Sequence, residues 1–172
     1  MTEKAPPISV SRPELLDPDG RDQSFRALVY DLLSVGARMQ EVRDRLAKTI
    51  GVTGPQYAIL MAIAHMQDDE RGAGVRSVAR RLHVSGPFIT AQVNVLVKAD
   101  LVAKHPNPED GRGVILRLTE LGEAQLLAIA PEIQRANDTF FGPLSATEFR
   151  VLADLAARLE ESSELAVRPA AD

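Results

Sequence analysis

The 172-residue chain contains no cysteine and no tryptophan, and only 4% of its residues are aromatic. Without cysteine there can be no disulfide, thiolate nucleophile or cysteine redox switch. The histidines His65, His83 and His105 lie too far apart in sequence to form a local metal-binding motif. The sequence therefore predicts no metal and no cofactor, and aliphatic side chains must supply most of the core.

Long hydrophobic runs are also missing. No run approaches the roughly 18 residues that a membrane span needs. The first thirty residues carry acids and four prolines where a signal peptide would carry an apolar segment, so we expect a cytoplasmic protein. The length is that of about one domain. A composition of 45% hydrophobic and 26% charged residues is typical of a globular chain.

Positive charge is scarce overall but concentrated in the middle of the chain. The net charge is -4, yet residues 71–118 hold eight basic and three acidic side chains, a local charge of +5. The remaining 12 basic and 21 acidic residues give -9. This polarity suggests a polyanionic partner for the middle segment, although a solvated face with a chance asymmetry is an equally good account.

The spacing of apolar residues predicts helices in the first part of the chain. Residues 1–21 are expected to form an irregular arm because they contain four prolines and few large apolar side chains. Apolar residues at steps of three and four then predict an amphipathic helix from about Asp22 to Lys48, which Gly51 ends. Thr53 and Gln56 form a capping-box pattern for a second helix that reaches Met66. That helix is apolar nearly all round and should be buried.

The next segment has the spacing of a helix-turn-helix. Short helices are predicted at residues 75–82 and 86–99, with Ser85 as the N-cap of the second. Two β-favouring runs, 101–105 and 114–118, flank an Asp-Gly turn and predict a hairpin. Thr119 should cap one helix that runs toward Phe140, and Ser145 with Glu148 should start a last helix.

The fold class is mostly α, a winged helix-turn-helix at 51–118 flanked by long dimerisation helices at 22–50 and 119–165, with a tail at 166–172.

These segments resemble the MarR (multiple antibiotic resistance regulator) family of bacterial transcription factors. The stretch VTGPQYAILMAIAHM resembles the family's second helix, VRSVARRLHVSGPFITAQVNVLVKADLV its helix-turn-helix, and DGRGVILRLTELGEA its wing and the start of its fifth helix. The resemblance covers residues 22 to 165. It implies a homodimer and a repressor whose hold on DNA is loosened by a small ligand, most often an aromatic acid or its coenzyme A ester.

The predicted DNA-binding residues lie on the helix-turn-helix and the wing. On the recognition helix, base reading is expected from Thr90, Gln92, Asn94 and Lys98, with Phe88 against a thymine methyl and Ser85 at a phosphate. Arg112 at the hairpin tip is expected in the minor groove, with a solvated turn arginine as the alternative. Asp110 should either hold Arg112 or act as an Asx-type turn residue. Phosphate contacts or simple solvated charges are expected at Arg76, Arg80, Arg81, Lys104 and Arg117.

Three positions depart from the family's usual residues. His83 and Asp100 stand where the family commonly has glycine, and both residue types tolerate positive φ. Ala91 occupies an outward position where the family often has arginine. Lys98 is therefore the one cation of the recognition helix, and the operator sequence cannot be inferred.

The resemblance places a ligand pocket between the dimer helices and the DNA-binding lobe. Arg43 lies at the edge of the apolar stripe, where its charge could pair with a carboxylate. An apolar cavity could be completed by Tyr30, Met39, Met61 and His65. Each has a plainer interpretation, since His65 is near a helix C-terminus and the methionines could be core residues.

Two other functions share parts of this pattern. A constitutive DNA-binding protein without an effector would show the same DNA-binding features and lack the pocket. A helical dimer could instead use the basic lobe to bind an acidic protein, and the salt dependence of DNA binding would separate the two partners. No catalytic triad, paired carboxylates or phosphate loop is visible, so an enzyme is not expected.

Overall fold

The computed structural model describes residues 7–67, 72–107 and 113–168. It is mostly helical with a small antiparallel sheet, which confirms the predicted fold class, a winged helix-turn-helix. After a short 3-10 turn at Pro13–Leu15, the elements are α1 (Gln23–Thr49), α2 (Gly54–Met66), β1 (Ala73–Gly74), α3 (Val75–Arg81), α4 (Gly86–Lys98), β2 (Val102–Pro106), β3 (Val114–Leu118), α5 (Glu120–Ala128), α6 (Ala130–Phe141) and α7 (Ala146–Ala166).

The chain divides into two compact units, Met1–Gln125 and Leu126–Asp172. The first contains α1 to α4, the sheet and the beginning of α5, and therefore all of the predicted DNA-binding residues. The second contains the end of α5, α6 and α7.

Helix α2 is the centre of the first unit, as its sequence predicts. Ile59, Leu60 and Ile63 are completely buried. Thr53 caps the helix by the predicted capping box, in which its hydroxyl accepts the Gln56 N–H and its own N–H donates to the Gln56 side chain at 3.0 Å. Because both bonds satisfy backbone groups that have no partner inside the helix, the start of α2 is fixed.

The helix-turn-helix is built as its sequence predicts. Helix α4 packs Ile89, Val93 and Leu96 into the core, and the Ser85 hydroxyl accepts the Phe88 N–H at its start. The left-handed backbone expected at the two positions without glycine is present, with φ of 52° at His83 and 57° at Asp100.

The sheet has three strands in the order β1-β3-β2, all antiparallel. β2 and β3 form the predicted hairpin, with Val102 opposite Leu118 and Pro106 opposite Val114. Strand β1, in which Ala73 and Gly74 pair with Leu116 and Ile115, is not predicted by the sequence. A two-residue strand is too short to show an alternating pattern in the sequence.

The prediction of one helix from Thr119 to Phe140 is wrong. The chain leaves the helix at Ile129 (φ -94°, ψ 1°), and α6 starts at Ala130 with Pro131 in its first turn. Proline has no N–H and restricts the residue before it, so it is tolerated in a first turn but interrupts a continuing helix. Glu120–Ala128 and Ala130–Phe141 are therefore separate helices.

Helix α1 leaves much of its apolar stripe exposed. Only Leu46 and Ala47, in its last turns, are buried in the described chain. The exposed apolar side chains of this helix are Leu28, Val29, Tyr30, Leu32, Leu33, Val35 and Met39.

Candidate DNA-binding surface

The exposed face of α4 carries most of the residues predicted to read bases. Ser85, Phe88, Thr90, Asn94 and Lys98 are exposed, whereas Gln92 is half-buried. The Thr90 hydroxyl donates to the Gly86 carbonyl at 3.0 Å, so its methyl group and the lone pairs of its oxygen are left to contact a base.

A hydrogen bond joins the recognition helix to the wing. The Lys104 amine on β2 donates to the Asn94 side-chain oxygen at 2.6 Å, and both side chains are exposed. Lys104 therefore stands beside the base-reading helix, and its positive charge is held close to Asn94. One of the two lone pairs on the Asn94 oxygen is occupied by this bond.

Gln92 faces the opposite flank of α4, toward α2. The Gln56 amide nitrogen donates to the Gln92 side-chain oxygen at 3.2 Å, across 36 residues of sequence. Gln56 also serves in the capping box of α2, so one side chain links the start of α2 to the recognition helix. The sequence predicts both glutamines as functional or capping residues but gives no sign that they are bonded to each other.

Exposed cations border this surface. Arg76, Arg80 and Arg81 lie on α3 with Arg80 and Arg81 in its last turn, and Arg117 lies on β3. Long, exposed guanidinium groups beside a recognition helix suit contacts to phosphate oxygens. Asp110 and Arg112, predicted at the tip of the wing, lie outside the described residues.

The predicted ligand residues on α2 share one face. Met61 and His65 follow Tyr57 at steps of four residues, and the exposure increases along this row from the buried Tyr57 to the exposed His65. Burial raises the pKa of the Tyr57 phenol, and the positive charge of Arg43 acts on it in the opposite direction. The charge of Arg43 on α1 therefore acts on Tyr57, a buried residue of α2.

Two other predicted ligand residues, Tyr30 and Met39, come before Arg43 on α1. The start of α2 is beside the last third of α1, since a Cβ at Gly54 would overlap the Asp44 carboxylate. Met39 is one turn before Arg43 and exposed. Tyr30 is thirteen residues before Arg43, about 20 Å along the helix axis, so one small ligand cannot touch both within a protomer.

The chain matches the model of the MarR family over residues 50–113, which include the helix-turn-helix and the first strand of the wing hairpin. It is 32% identical to the PcaV transcriptional regulator of Streptomyces coelicolor, whose structure was determined in complex with its natural ligand. That match covers 74% of this chain and 90% of PcaV, with a TM-score of 0.56. The chain belongs to the MarR family. It is accordingly a transcriptional regulator and not an enzyme.

Other members of the MarR family share the fold at lower identity. Staphylococcus aureus MepR, whose structure was determined as a complex with DNA, is 19% identical to this chain. The match covers 78% of this chain and 96% of MepR, with a TM-score of 0.65. A mutant of Escherichia coli MarR, in a structure with operator DNA, is 21% identical to this chain. The match covers 79% of this chain and 95% of MarR, with a TM-score of 0.62. The uncharacterized HTH-type transcriptional regulator YdgJ of Bacillus subtilis is 21% identical over 112 residues, 65% of this chain and 66% of YdgJ.

The second unit of this MarR-family chain contains an open cleft that the sequence does not predict. Its volume is about 330 Å³, and Phe141 and Phe149 meet edge to face in its wall with ring centroids 6.2 Å apart. None of the predicted ligand residues lines it. The complete lining is Asn137, Asp138, Phe141, Gly142 and Phe149.

Within residues 7–67, 72–107 and 113–168, no group of three or more histidine or carboxylate side chains could hold a metal ion. None of the helices described in this MarR-family chain is long and apolar enough to cross a membrane.

Proposed function

We propose that the protein is a cytoplasmic, dimeric repressor that binds a pseudo-palindromic operator and is released from it by a small aromatic acid or its coenzyme A ester. DNA binding is supported by the exposed face of α4, which lies between the arginines of α3 and the wing strand that carries Lys104. The local charge of +5 over residues 71–118 suits a polyanionic partner.

The single observation that carries the DNA-binding proposal is the bond between Asn94 and Lys104. It places a wing cation against the middle of the recognition helix, so helix and wing present one continuous polar surface. The domain arrangement is part of the same proposal, with residues 51–118 as the DNA-binding lobe and 22–50 and 119–165 as dimerisation helices. A two-fold dimer would place its recognition helices about 34 Å apart, in successive major grooves.

A dimer is further supported by the apolar residues that α1 and α7 expose. Leu152, Leu155 and Leu159 of α7 are between 41% and 57% exposed and lie three and four residues apart. Isolated exposed leucines are common, but a row at helical spacing is typical of a helix that packs on a partner.

The effector part of the proposal depends on Arg43. Its positive charge, which acts on the buried Tyr57 phenol, would bind a carboxylate, while Met61 and His65 extend the face of α2 that carries Tyr57. PcaV, the 32% identical relative, is a ligand-binding member of the family. An anionic aromatic compound satisfies both the charge of Arg43 and the apolar side chains around it.

The decisive experiment begins with recovery of bound genomic DNA fragments and measurement of the affinity of one fragment at several salt concentrations. Arg80→Ala should weaken binding to specific and to scrambled DNA by similar factors. It should also reduce the magnitude of the slope of log K against log salt by about one unit. Arg112→Ala should weaken the specific fragment by ~1 to 3 kcal/mol, chiefly at A·T-rich flanks. Arg150→Ala on α7 is the control.

Binding without any preference for sequence would contradict the repressor proposal, and a fragment retained only through a protein partner would favour the acidic-protein alternative. Equal effects of Arg112→Ala on all sequences would show that Arg112 contacts only phosphate. Sequence-specific binding that no aromatic acid weakens would favour the constitutive regulator.

A further inference from the structure

The bond between Gln56 and Gln92 has a fixed direction, which follows from the capping box. The backbone N–H of Thr53 can only donate, and it donates to the side-chain oxygen of Gln56 at 3.0 Å. Gln56 must therefore turn its amide nitrogen toward α4, where it donates to the Gln92 oxygen at 3.2 Å. If Gln92 were flipped, two amide nitrogens would face each other without an acceptor.

The direction of this bond determines what Gln92 can offer to DNA. Because its oxygen is turned toward Gln56 on α2, Gln92 directs away from α2 its amide nitrogen, which is a donor only. Phe88, four residues before Gln92, and Val95, three residues after it, each lie about one helical turn away, and both of these apolar side chains are exposed. On that flank of α4, the amide of Gln92 is thus a single hydrogen-bond donor beside apolar neighbours.

We infer that Gln56 is a positioning residue which makes Gln92 a selective reader that favours guanine or thymine over cytosine in the major groove. The inference rests on the proposed function, since it assumes that α4 enters the major groove. Guanine O6 and N7 and thymine O4 accept a donor, adenine presents an acceptor at N7 beside its amino group, and cytosine presents only its amino donor. The usual paired contact of glutamine with adenine needs both amide groups at the base, and here the oxygen is turned toward α2.

The test exploits a substitution that reverses the direction of the bond. Glu is the standard third residue of a capping box, so Gln56→Glu keeps the bond to the Thr53 N–H and is favoured at a helix N-terminus. The carboxylate has only acceptors, so Gln92 must turn its nitrogen toward Glu and its oxygen outward. Cytosine should then be favoured over guanine and thymine, because its amino group can donate to the outward oxygen of Gln92.

The experiment is selection of binding sites from a randomised DNA library by the full-length wild type and three variants. Gln92→Ala should reduce the preference for guanine and thymine over cytosine about 3- to 10-fold at one position in each half-site and leave the other positions unchanged. Gln56→Glu should reverse the preference at that same position. Gln134→Glu on α6 changes charge equally outside α2 and α4 and should match the wild type.

Melting temperatures of all variants check that folding is retained, because a merely structural role of Gln56 would lower affinity for every sequence without altering the preferred base. Unchanged preferences in Gln92→Ala would overturn the inference. So would a preference that Gln92→Ala relaxes but Gln56→Glu leaves as in the wild type. A wild type that selects no sequence at all would instead contradict the proposed function, which separates the two failures.

Discussion

The amine of Lys104 lies 2.6 Å from the side-chain oxygen of Asn94, so a wing strand and the recognition helix are joined at the surface that faces DNA in our proposal. The bond is exposed on both sides, where a single charged hydrogen bond contributes about 0.5 to 1 kcal/mol to stability. Its importance is therefore expected in DNA binding more than in folding.

Lys104→Met should weaken binding to specific and scrambled DNA by similar factors and lower the salt slope by about one unit, because a phosphate-neutralising charge is lost. Asn94→Ala should leave the salt slope unchanged, since Lys104 remains charged. Lys48→Met on α1 is the control for loss of one lysine. A normal salt slope in Lys104→Met would show that this amine does not approach a phosphate.

The contact between α5 and the wing depends on Gly122. A Cβ at this position would overlap the carbonyl oxygen of Leu101, which is backbone and cannot move aside like a flexible side chain. Gly122→Ala should therefore destabilise the protein by about 1 to 3 kcal/mol, the usual cost of overpacking. Urea unfolding measures the loss, and Gly86→Ala, where a Cβ meets nothing within 4 Å, should change stability by less than about 0.5 kcal/mol. Equal stability of the two variants would contradict the close approach seen here.

Local signals in the sequence predict most of this fold. The capping boxes of Thr53 with Gln56 and of Ser145 with Glu148 form as predicted because each needs only residues three apart. The start of α5 is equally local, because the Thr119 hydroxyl oxygen accepts the Gly122 N–H, three residues on, at 3.0 Å.

Features that depend on packing between distant segments were not predictable. The bond between Gln56 and Gln92 requires α2 to lie against α4, and no periodicity within either helix indicates it. Likewise, the sequence of α2 indicates a buried position for Tyr57 but not that the charge of Arg43 on α1 acts on its phenol. Candidate site residues could therefore be named from the sequence, but the partners that orient them could not.

The N-terminal segment should loosen at low pH. Hydrogen bonds from Arg26 and Ser9 hold the pKa of the Asp22 carboxyl well below its ordinary value of 3.8. The pKa is lower in the folded state, so the carboxylate stabilises the folded segment fully above about pH 5 and progressively less as pH falls toward the folded-state value. The Ser9 N–H donates to Asp22 at 2.7 Å, and its protection from hydrogen exchange should fall between about pH 5 and 3.

Asp22→Asn should reduce that protection already at pH 7, and its protection should vary less with pH than that of the wild type. Asp31→Asn, an exposed residue on the same helix, is the charge-matched control. Protection of Ser9 that is identical in wild type and Asp22→Asn at pH 7 would contradict this account.

Dimerisation through α7 can be tested by placing charge in its apolar row. Leu155 and Leu159 are 45% and 57% exposed in the single chain. Burial of each side chain in an interface would stabilise the dimer by roughly 1.5 to 3 kcal/mol. Changing both to Glu should give monomers that no longer bind operator, because one half-site alone binds weakly. Ala157→Glu adds charge on the opposite side of α7 and should remain dimeric. Sedimentation velocity distinguishes these outcomes, and a fully dimeric double variant would contradict the proposed interface.

Release of the operator by a ligand requires a difference in ligand affinity between the free and the DNA-bound forms. A tenfold loss of operator affinity needs about 1.4 kcal/mol of such difference, and operator must then weaken ligand binding by the same factor. Arg43, an exposed residue whose charge acts on the buried Tyr57 phenol, is the residue expected to hold the ligand carboxylate. A change in the packing of α2 would be transmitted to α4, since Gln56 on α2 is bonded to Gln92 on α4.

Arg43→Ala should therefore bind operator normally but respond poorly to aromatic carboxylates, with a loss of at least tenfold in ligand affinity measured by calorimetry. Arg45→Ala, two residues further along the same helix and also exposed, should respond like the wild type. Because the coupling is reciprocal, titration of the wild type with ligand must show weaker binding when operator is present. Ligand affinity that is the same with and without operator would contradict the release mechanism even if Arg43 contacts the ligand.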